Sequence, residues 1–361
     1  MGLVTNSYSQ GIENNNGGFI TGSSTNYIKF SGSGDMTLSG TTADQTTFGN
    51  LEVDFSSSAF KLTVPNNSYV TTNGSLLLSD SLLLEANSSS NMASLITNGS
   101  VSGIKAIVQQ HISTDQWHMV SSPVSSAVSG VYTGAYLYKW NEPDSTWAFI
   151  TTTTETLSVA RGYHAYSASA ISGPTDVVFT GLLNTGDYSP TITYNAGSNK
   201  GDGWNELGNP FPSALEWNSS WTKTNVDATV YIYDGTQYKT WNYNTGLGGL
   251  GNGEIPPTQG FWVKANASSP SITIPNAERL HSSNTFYKSA DKIQDNFRIN
   301  VTGNGYSDEI TLGILIGSTE GFDSNYDAYK LFGIEDAPQL YSYNDETKFA
   351  IISSLKYLKI K

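Results

Sequence analysis

Two stretches in the middle of the chain decide the fold: residues 203–217, which read GWNELGNPFPSALEW, and residues 253–265, which read GEIPPTQGFWVKA. Prolines fix the backbone angles in the segments Asn209-Pro210-Phe211-Pro212 and Ile255-Pro256-Pro257. Large aromatic rings supply apolar area for packing, and they are Trp204, Phe211, Trp217, Phe261 and Trp262. Neither stretch shows a catalytic or metal-binding motif. The strongest signature is therefore architectural, which favours a surface or binding protein.

The composition predicts an all-β protein. Only 14% of the 361 residues are charged, and the chain has 8 Trp, 21 Tyr and 14 Phe besides abundant Gly, Ser, Thr and Asn. This balance is typical of short strands that alternate with tight turns. The 18 basic and 31 acidic residues give a net charge of −13. Polyanions should be repelled, so nucleic acid and anionic membranes are disfavoured as partners.

The chain has no cysteine, so neither disulfides nor thiolate metal sites contribute to its stability. No run of the sequence approaches the about 20 apolar residues that a membrane-spanning helix needs. The N-terminus, MGLVTNSYSQ, lacks a charged region followed by an apolar one. We therefore expect no membrane span, and we interpret the chain as a soluble fragment whose export signal is absent from it.

Residues 1–106 differ from the rest in having few aromatics and many Ser, Thr, Asn and Gly. Short apolar runs such as 76–78 and 95–96 recur roughly every 20 to 25 residues, and the pairs Asn73-Gly74 and Asn98-Gly99 flank them. This pattern favours the last coils of a β-solenoid, a right-handed parallel β-helix. The alternative is an antiparallel sandwich with Asn-Gly hairpins, which uses the same residues.

Three further segments follow the solenoid-like region. Residues 107–275 are rich in Trp and Tyr and alternate short strands with turns, which predicts an antiparallel β-sandwich. Residues 276–295 are polar and predict a linker. Residues 296–361 contain a long alternating strand pair and predict a second sandwich unit. This unit is either incomplete or continued by further residues, because such a length is short for a full sandwich.

Several motifs resemble a known family. They are WHMVSSP (117–123), the segments 203–212 and 256–263, GFD (321–323) and YDAYK (326–330). Together they resemble the tail regions of cell-surface proteins that the type IX secretion system of gliding and gut Gram-negative bacteria exports. The resemblance implies a secreted or surface-attached protein, in which solenoid or repeat regions precede a C-terminal sorting domain. A sorting domain is not recognisable before Lys361, and the resemblance implies no specific activity.

Four aromatic residues are the candidate ligand-binding residues, namely Trp217, Trp221, Trp241 and Tyr243. They lie in the region with the least regular strand pattern, close to a glycine-rich loop at 246–253. Exposed aromatic faces stack on sugar rings, so these residues are where we predict a glycan platform. The alternative is that these rings form the core of the sandwich, as tryptophans usually do.

Asp323 and Asp327 are the candidate metal ligands. With Ser324 and Asn325 they offer several oxygens of the kind that calcium prefers, although the spacing is not that of an EF-hand. In the resembling family this segment is a turn, and the alternative is that Asp327 pairs with Lys330. Calcium is the one cofactor that the sequence suggests.

No catalytic residue is predicted. The four histidines lack the two-His spacing of a zinc site. Glycosidases need two carboxylates at a defined separation, which sequence spacing cannot reveal in an all-β chain. The acids of the aromatic region, which we interpret as solvated turn residues, are Glu206, Glu216, Asp234 and Glu254.

These observations lead to three functional hypotheses. The first is a non-catalytic module for adhesion or scaffolding in a secreted, cell-surface-associated bacterial protein, whose partner is a glycan or another surface molecule. The second is a carbohydrate-binding module of a polysaccharide-degrading protein. The third is a β-helical polysaccharide lyase or hydrolase. Such an enzyme needs a cluster of acidic or basic residues on one face, and residues 1–106 contain few acids and lysines.

Overall fold

The chain is all-β, as predicted. The computed structural model describes residues 12–14, 18–20, 27–40, 45–88, 91–197, 201–282, 296–344 and 347–354. Within these ranges the chain forms 32 strands and four short 3-10 helices. The 3-10 helices are Ser129–Tyr132, Glu142–Asp144, Ser169–Ile171 and Asn276–Glu278. The strands form both parallel and antiparallel sheets.

The first thirteen strands form three parallel sheets. The chain visits the sheets in turn, so each strand pairs with the strand three places further on, in the orders β1-β4-β7-β10-β13, β2-β5-β8-β11 and β3-β6-β9-β12. These strands are β1 Ile12–Asn14, β2 Gly18–Ile20, β3 Ile28–Phe30, β4 Met36–Gly40, β5 Gln45–Phe48, β6 Leu51–Val53, β7 Lys61–Val64, β8 Tyr69–Thr72, β9 Leu76–Leu78, β10 Ser81–Leu84, β11 Ser94–Thr97, β12 Val101–Ser102 and β13 Ala106–His111.

Side chains that point inward from these sheets form an apolar core. In β9, Leu76 and Leu78 are 0% and 2% exposed, whereas Leu77 between them is only partly buried. Alternate side chains of a strand point to opposite faces, so every second residue enters the core. The same hydrophobic cluster extends from Phe30 to Leu183 and so continues across residue 106. The division into domains stays a prediction.

We expect Leu76→Ala to lower the free energy of unfolding by about 2–5 kcal/mol, because it opens a cavity in this core. Leu77→Ala is the matched control and should cost roughly 1 kcal/mol or less, since its side chain lies on the outer face. Urea denaturation of the three proteins measures both values. Equal losses would contradict the assignment of inner and outer faces.

Glycine and asparagine align at one corner of successive circuits. The Gly74 amide donates a hydrogen bond to the Gly49 carbonyl (2.5 Å), and Asn98 Nδ2 donates to Asn73 Oδ1 (2.9 Å). A Cβ on Gly74 would lie 2.6 Å from the Gly49 oxygen and would also collide with Asn50 Oδ1. Only glycine allows such an approach of two backbones. The Asn-Gly pairs therefore lie where the chain passes from one parallel sheet to the next.

Gly74→Ala should lower the free energy of unfolding by about 1–3 kcal/mol, because the added methyl group overlaps the neighbouring circuit. Gly34→Ala serves as the control, because a Cβ there meets no atom within 4 Å. Comparison of the chemical-denaturation midpoints of the two variants tests this expectation. A Gly74→Ala protein as stable as the control would mean that the circuits are not stacked this closely.

The last parallel strand connects the parallel sheets to an antiparallel region. β13 pairs in parallel with β10 on one side and antiparallel with β18 on the other. The strands between β13 and β18 form a separate four-stranded antiparallel sheet in the order β14-β17-β15-β16. These strands are β14 Trp117–Val120, β15 Tyr136–Asn141, β16 Thr146–Phe149, β17 Tyr163–Tyr166 and β18 Asp176–Gly181.

The two stretches that open the sequence analysis lie side by side. They contain β19 and β25, which pair antiparallel with Trp204 opposite Lys264 and Gly208 opposite Gly260. Three sheets form here, in the orders β19-β25-β22-β23, β24-β20-β27 and β21-β26. The strands are β19 Trp204–Gly208, β20 Ala214–Glu216, β21 Lys223–Thr224, β22 Thr229–Tyr233, β23 Tyr238–Asn242, β24 Glu254–Ile255, β25 Gly260–Lys264, β26 Ser271–Ile272 and β27 Arg279–Leu280.

The side chain of Asn209 connects the two proline-containing turns. It is fully buried, and its Nδ2 donates to the carbonyl oxygens of Ser213 and Pro256, both at 2.8 Å. Its Oδ1 accepts a hydrogen bond from the Phe211 amide at 3.0 Å. A single amide thus satisfies backbone groups from both stretches, which is required because buried backbone groups need partners.

The beginning of the predicted linker 276–295 is held against the parallel sheets, and the rest of the linker lies outside the described residues. Arg279 donates to the Thr97 carbonyl oxygen at 2.8 Å. The His281 ring stacks on Tyr69, with centroids 5.2 Å apart and planes 12° apart. These contacts connect the segment after the antiparallel region to strands β8 and β11.

The C-terminal strands form a five-stranded sheet in the order β28-β29-β32-β30, with β31 also paired to β32. The pairing of β29 with β32 is parallel and the others are antiparallel. A buried ion pair lies on this sheet, with Lys330 Nζ 2.5 Å from Asp308 Oδ2 and both side chains 2% exposed. The strands are β28 Asn296–Gly303, β29 Tyr306–Gly313, β30 Ala328–Tyr329, β31 Ser342–Asn344 and β32 Thr347–Ser353.

Candidate functional site

The sheet β14-β17-β15-β16 has one apolar face in the core and one aromatic face directed away from it. On the core side, Leu137, Tyr163 and Ala165 are buried in the same cluster as the parallel sheets. Alternation places the neighbouring side chains of each strand on the opposite face. That face is formed by Trp117, Tyr136, Tyr138, Trp140, Trp147, Phe149, His164 and Tyr166.

Several of these rings are exposed and contact each other across the strands. The exposed fractions are 38% for Trp117, 42% for Tyr136, 42% for Trp147 and 47% for Phe149. Neighbouring aromatic rings in tilted or edge-to-face contact hold each other in place. The cross-strand ring pairs, with their centroid distances, are Tyr138–Phe149 at 4.9 Å, Trp140–Trp147 at 5.2 Å and Trp117–Tyr166 at 5.1 Å.

This face forms one wall of a cleft of about 450 Å³. The sheet contributes Trp117, Tyr138, Trp147 and His164. The opposite side comes from the β22-β23 hairpin and from a loop of the C-terminal region, through Tyr233, Tyr238, Phe332, Gly333 and Ile334. The cleft, hereafter the aromatic cleft, thus lies where three parts of the chain meet.

His164 lies at the base of the aromatic cleft and contacts a buried carboxylate. Its Nδ1 is 2.9 Å from Glu206 Oε1, although the angles are not those of a hydrogen bond. Its ring lies 4.4 Å from that of Trp147. Glu206 is 2% exposed at its side chain and belongs to β19, opposite Trp262 of β25. The carboxylate therefore lies beneath the cleft and does not line it.

The chemistry of the aromatic cleft suits binding. The described residues that line it include no Asp or Glu. Burial, reinforced by the charge of Asp234, raises the pKa of Tyr233 to about 12, and burial also raises the pKa of Tyr238. Both hydroxyl groups therefore keep their protons at neutral pH. The Tyr233 hydroxyl donates its proton to the Gly235 carbonyl at 2.9 Å, so it offers a ligand an acceptor. An apolar wall with a few neutral polar groups is typical of a ligand site, whereas the paired carboxylates of a glycosidase are not found in the described lining.

The predicted ligand-binding aromatics lie elsewhere, and most are buried. Trp217, Trp221 and Trp241 are 0%, 3% and 8% exposed and belong to one hydrophobic cluster, against which Tyr243 packs. The indole nitrogen of Trp217 donates to the Ala228 carbonyl at 2.8 Å. These indoles have almost no exposed face on which a sugar could stack. Their burial does not support the sugar-binding prediction and agrees with the alternative, a core position.

Sequence reasoning missed the aromatic cleft, although a local signal for it exists. Tyr136, Tyr138 and Trp140 alternate along one strand, and Trp147 and Phe149 alternate along the next. Aromatic residues at every second position share one face of a strand. The residues between them, Leu137, Lys139 and Ala148, are not aromatic. Period-two spacing of aromatics would therefore have indicated this face.

The proposed calcium ligands lie in a turn whose oxygens already have partners. Asp327 is fully buried, and its Oδ1 and Oδ2 accept hydrogen bonds from the amides of Ser353 (2.7 Å) and Asp323 (2.8 Å). Asp323 Oδ1 accepts from the Asn325 amide at 3.0 Å. Lys330 pairs with Asp308. In the part of the chain that the structure covers, no group of three or more His, Cys, Asp or Glu residues could hold a metal ion.

Asp327 should make stability depend on pH. Burial raises its pKa from 3.8 to about 7, although the two amide donors oppose the shift. The folded state therefore retains this proton to a higher pH than the unfolded state, so its contribution to stability falls as the pH rises from about 4 to about 7. We expect the free-energy difference between wild type and Asp327→Asn to shift in favour of the variant over that range. Denaturation at several pH values tests this, and a constant difference would contradict it.

Of the acids interpreted as solvated turn residues, Asp234 lies in a turn, whereas Glu206 lies in strand β19 with its side chain only 2% exposed, which corrects that interpretation. Asp234 Oδ1 accepts hydrogen bonds from the amides of Thr236 (2.8 Å) and Gln237 (2.7 Å), as expected of a turn residue. On the parallel sheets, Lys29 pairs with Glu52 at 3.5 Å and with Asp54, and Lys61 pairs with Asp35 at 3.0 Å. These exposed pairs give no support to a catalytic groove on the parallel sheets.

The fold and the site together define a class: an all-β protein with an exposed aromatic cleft between three parts of its chain. The chain belongs to a family described as a domain of unknown function (DUF8693), whose sequence profile matches residues 36–354. No curated protein and no solved structure is significantly similar to the chain. None of the helices in the described ranges is long and apolar enough to cross a membrane.

Proposed function

We propose that this chain is a non-catalytic binding module of a secreted, cell-surface-associated bacterial protein, and that it binds a glycan in the aromatic cleft. The observation that carries the proposal is the set of exposed, mutually packed rings on the outer face of β14-β17-β15-β16. The module would serve adhesion, or the targeting of a polysaccharide-degrading protein, depending on which glycan it binds.

The exposure of Trp117 and Trp147 favours sugar binding over a purely structural role for these rings. Large rings are costly to leave in water, and contiguous exposed apolar patches mark interaction sites. Sugar rings present C–H groups on one face and hydroxyls at the edge, which match an aromatic wall flanked by the hydroxyls of Tyr233 and Tyr238. The neutral lining also suits an uncharged polysaccharide.

The parallel strands support the architectural part of the proposal. Three parallel sheets visited in turn are the arrangement expected of β-solenoid coils, and a stack of coils would project the antiparallel units that follow, which we propose to be β-sandwiches. The resemblance to modules exported by the type IX secretion system supports secretion or attachment to the cell surface. The lyase or hydrolase hypothesis has no comparable support from a contact in the described residues.

A glycan array, followed by titration with the best ligand, tests the proposal. Wild type should bind at least one polysaccharide, and Trp117→Ala and Trp147→Ala should each weaken binding about tenfold or more, because an aromatic anchor is lost. Phe297→Ala is the control, since Phe297 is 62% exposed but lies on β28 and does not line the cleft.

Trp147→Phe separates binding from folding, because it keeps a ring at the position and should retain part of the affinity. Thermal melting of every variant identifies any loss of structure. Failure of the wild-type chain to bind any glycan of the array would overturn the proposal, as would equal affinities of wild type and both alanine variants.

A further inference from the structure

A second cavity, of about 660 Å³, lies between the end of β25 and the C-terminal region. We call it the polar cavity, because carboxylate, ammonium, amide and hydroxyl groups line it beside aromatic rings. None of its lining residues lines the aromatic cleft. Those relevant to its chemistry are Tyr194, Asp202, Asp227, Lys264, Asn266 and Tyr329.

Asp227 lines the polar cavity and has a buried carboxylate oxygen without a hydrogen-bond partner among the described residues. The residue is 1% exposed, and its Oδ1 accepts a hydrogen bond from Asn266 Nδ2 at 2.8 Å. Its Oδ2 has no hydrogen-bond partner among the described residues. A buried polar atom without a partner destabilises the fold, and a ligand hydroxyl in the cavity would supply the missing donor. The backbone holds the residue in place, since the Asp227 amide donates to the Lys264 carbonyl at 2.9 Å.

Lys264 places a cation in the same cavity. Its Nζ donates to the Asp202 carbonyl oxygen at 2.7 Å and lies over the rings of Trp204 and Tyr329, with the nitrogen 5.2 Å and 5.4 Å from their centroids. These contacts fix the position of the ammonium group, which has three donors. The cavity therefore offers a strong acceptor at Asp227 and a strong donor at Lys264.

The opposite charges of these two groups disfavour a ligand that carries a charge of one sign only. A metal ion or an amine would be attracted by Asp227 but repelled by the ammonium group of Lys264 at the same site. An anion would be attracted by Lys264 but repelled by Asp227. A hydroxyl group both donates and accepts, so neighbouring hydroxyls of one neutral molecule satisfy both side chains. The rings of Tyr194 and Tyr329 add an apolar surface for its C–H face.

We propose that the polar cavity is a second binding site, specific for a neutral sugar unit, in which one hydroxyl donates to Asp227 Oδ2 and another accepts from Lys264 Nζ. The site goes beyond the aromatic cleft, because it depends on hydrogen bonds instead of exposed rings and on different residues. It would recognise single sugar units, whereas the aromatic cleft would bind along a chain.

The experiment measures binding of a panel of neutral methyl glycosides to the whole chain by saturation-transfer NMR and titration. At least one glycoside should bind to wild type. Asp227→Asn should lower the affinity for this glycoside about tenfold, because a charge-assisted hydrogen bond is lost. The asparagine keeps the acceptor for Asn266 and turns its amide nitrogen toward the cavity, where the ligand needs an acceptor. This variant should fold, since it removes a buried charge. Lys264→Gln, as a separate variant, should also lower the affinity for the same glycoside.

Trp147→Ala is the matched control, because it alters the aromatic cleft alone and should leave glycoside binding in the polar cavity unchanged. Asp227→Asn should in turn leave polysaccharide binding in the aromatic cleft unchanged, so the two proposals fail separately. Two results would overturn the second site: no glycoside of the panel binds, or Asp227→Asn binds it as tightly as wild type. Calcium chloride or a diamine that binds in an Asp227-dependent manner more tightly than every glycoside would also overturn it.

Discussion

The buried amide of Asn209 is the contact on which the central architecture depends. It bridges a turn after β19 and a turn before β25, two strands that are far apart in sequence and adjacent in the sheet. An amide has both donors and an acceptor, so it can satisfy backbone groups that no apolar side chain could satisfy. Because β19 contributes Glu206 and β25 contributes Trp262, the same pairing also supports the base of the aromatic cleft.

The sheet β14-β17-β15-β16 shows how the fold separates stability from recognition. Leu137 and Ala165 pack on the core side, where they need only shape and apolarity. On the other side the aromatic residues Tyr138 and Trp147 are only partly covered by the β22-β23 hairpin and the C-terminal loop. Because packing on the core side already stabilises the sheet, the side chains of the other face need not all be buried. An exposed aromatic face therefore forms without loss of the core.

The sequence predicts the all-β class because strand and turn propensities are local. The corner glycines of the parallel sheets and the prolines of the central stretch also mark bends from their own chemistry. Whether a tryptophan is buried or exposed depends instead on contacts with residues that are distant in sequence. Trp217 is buried because Phe261, Ala228 and Trp221 come from other segments to surround it, whereas Trp147 remains exposed because no segment fully covers it. Composition does not distinguish buried from exposed tryptophans, because it contains no information on which strand covers which ring.

The two cavities differ in the physical cost that each imposes on the folded protein. The aromatic cleft leaves apolar area in water, whereas at the polar cavity a carboxylate oxygen of Asp227 is buried without a donor from the described residues. Burial raises the pKa of Asp227 to about 6, so at neutral pH the charged form still predominates and still lacks a second donor. Proteins depart from optimal packing and hydrogen bonding mainly at functional sites. The aromatic cleft and Asp227 depart from it in opposite ways, on residues that do not overlap, and this difference supports the proposal of two separate sites.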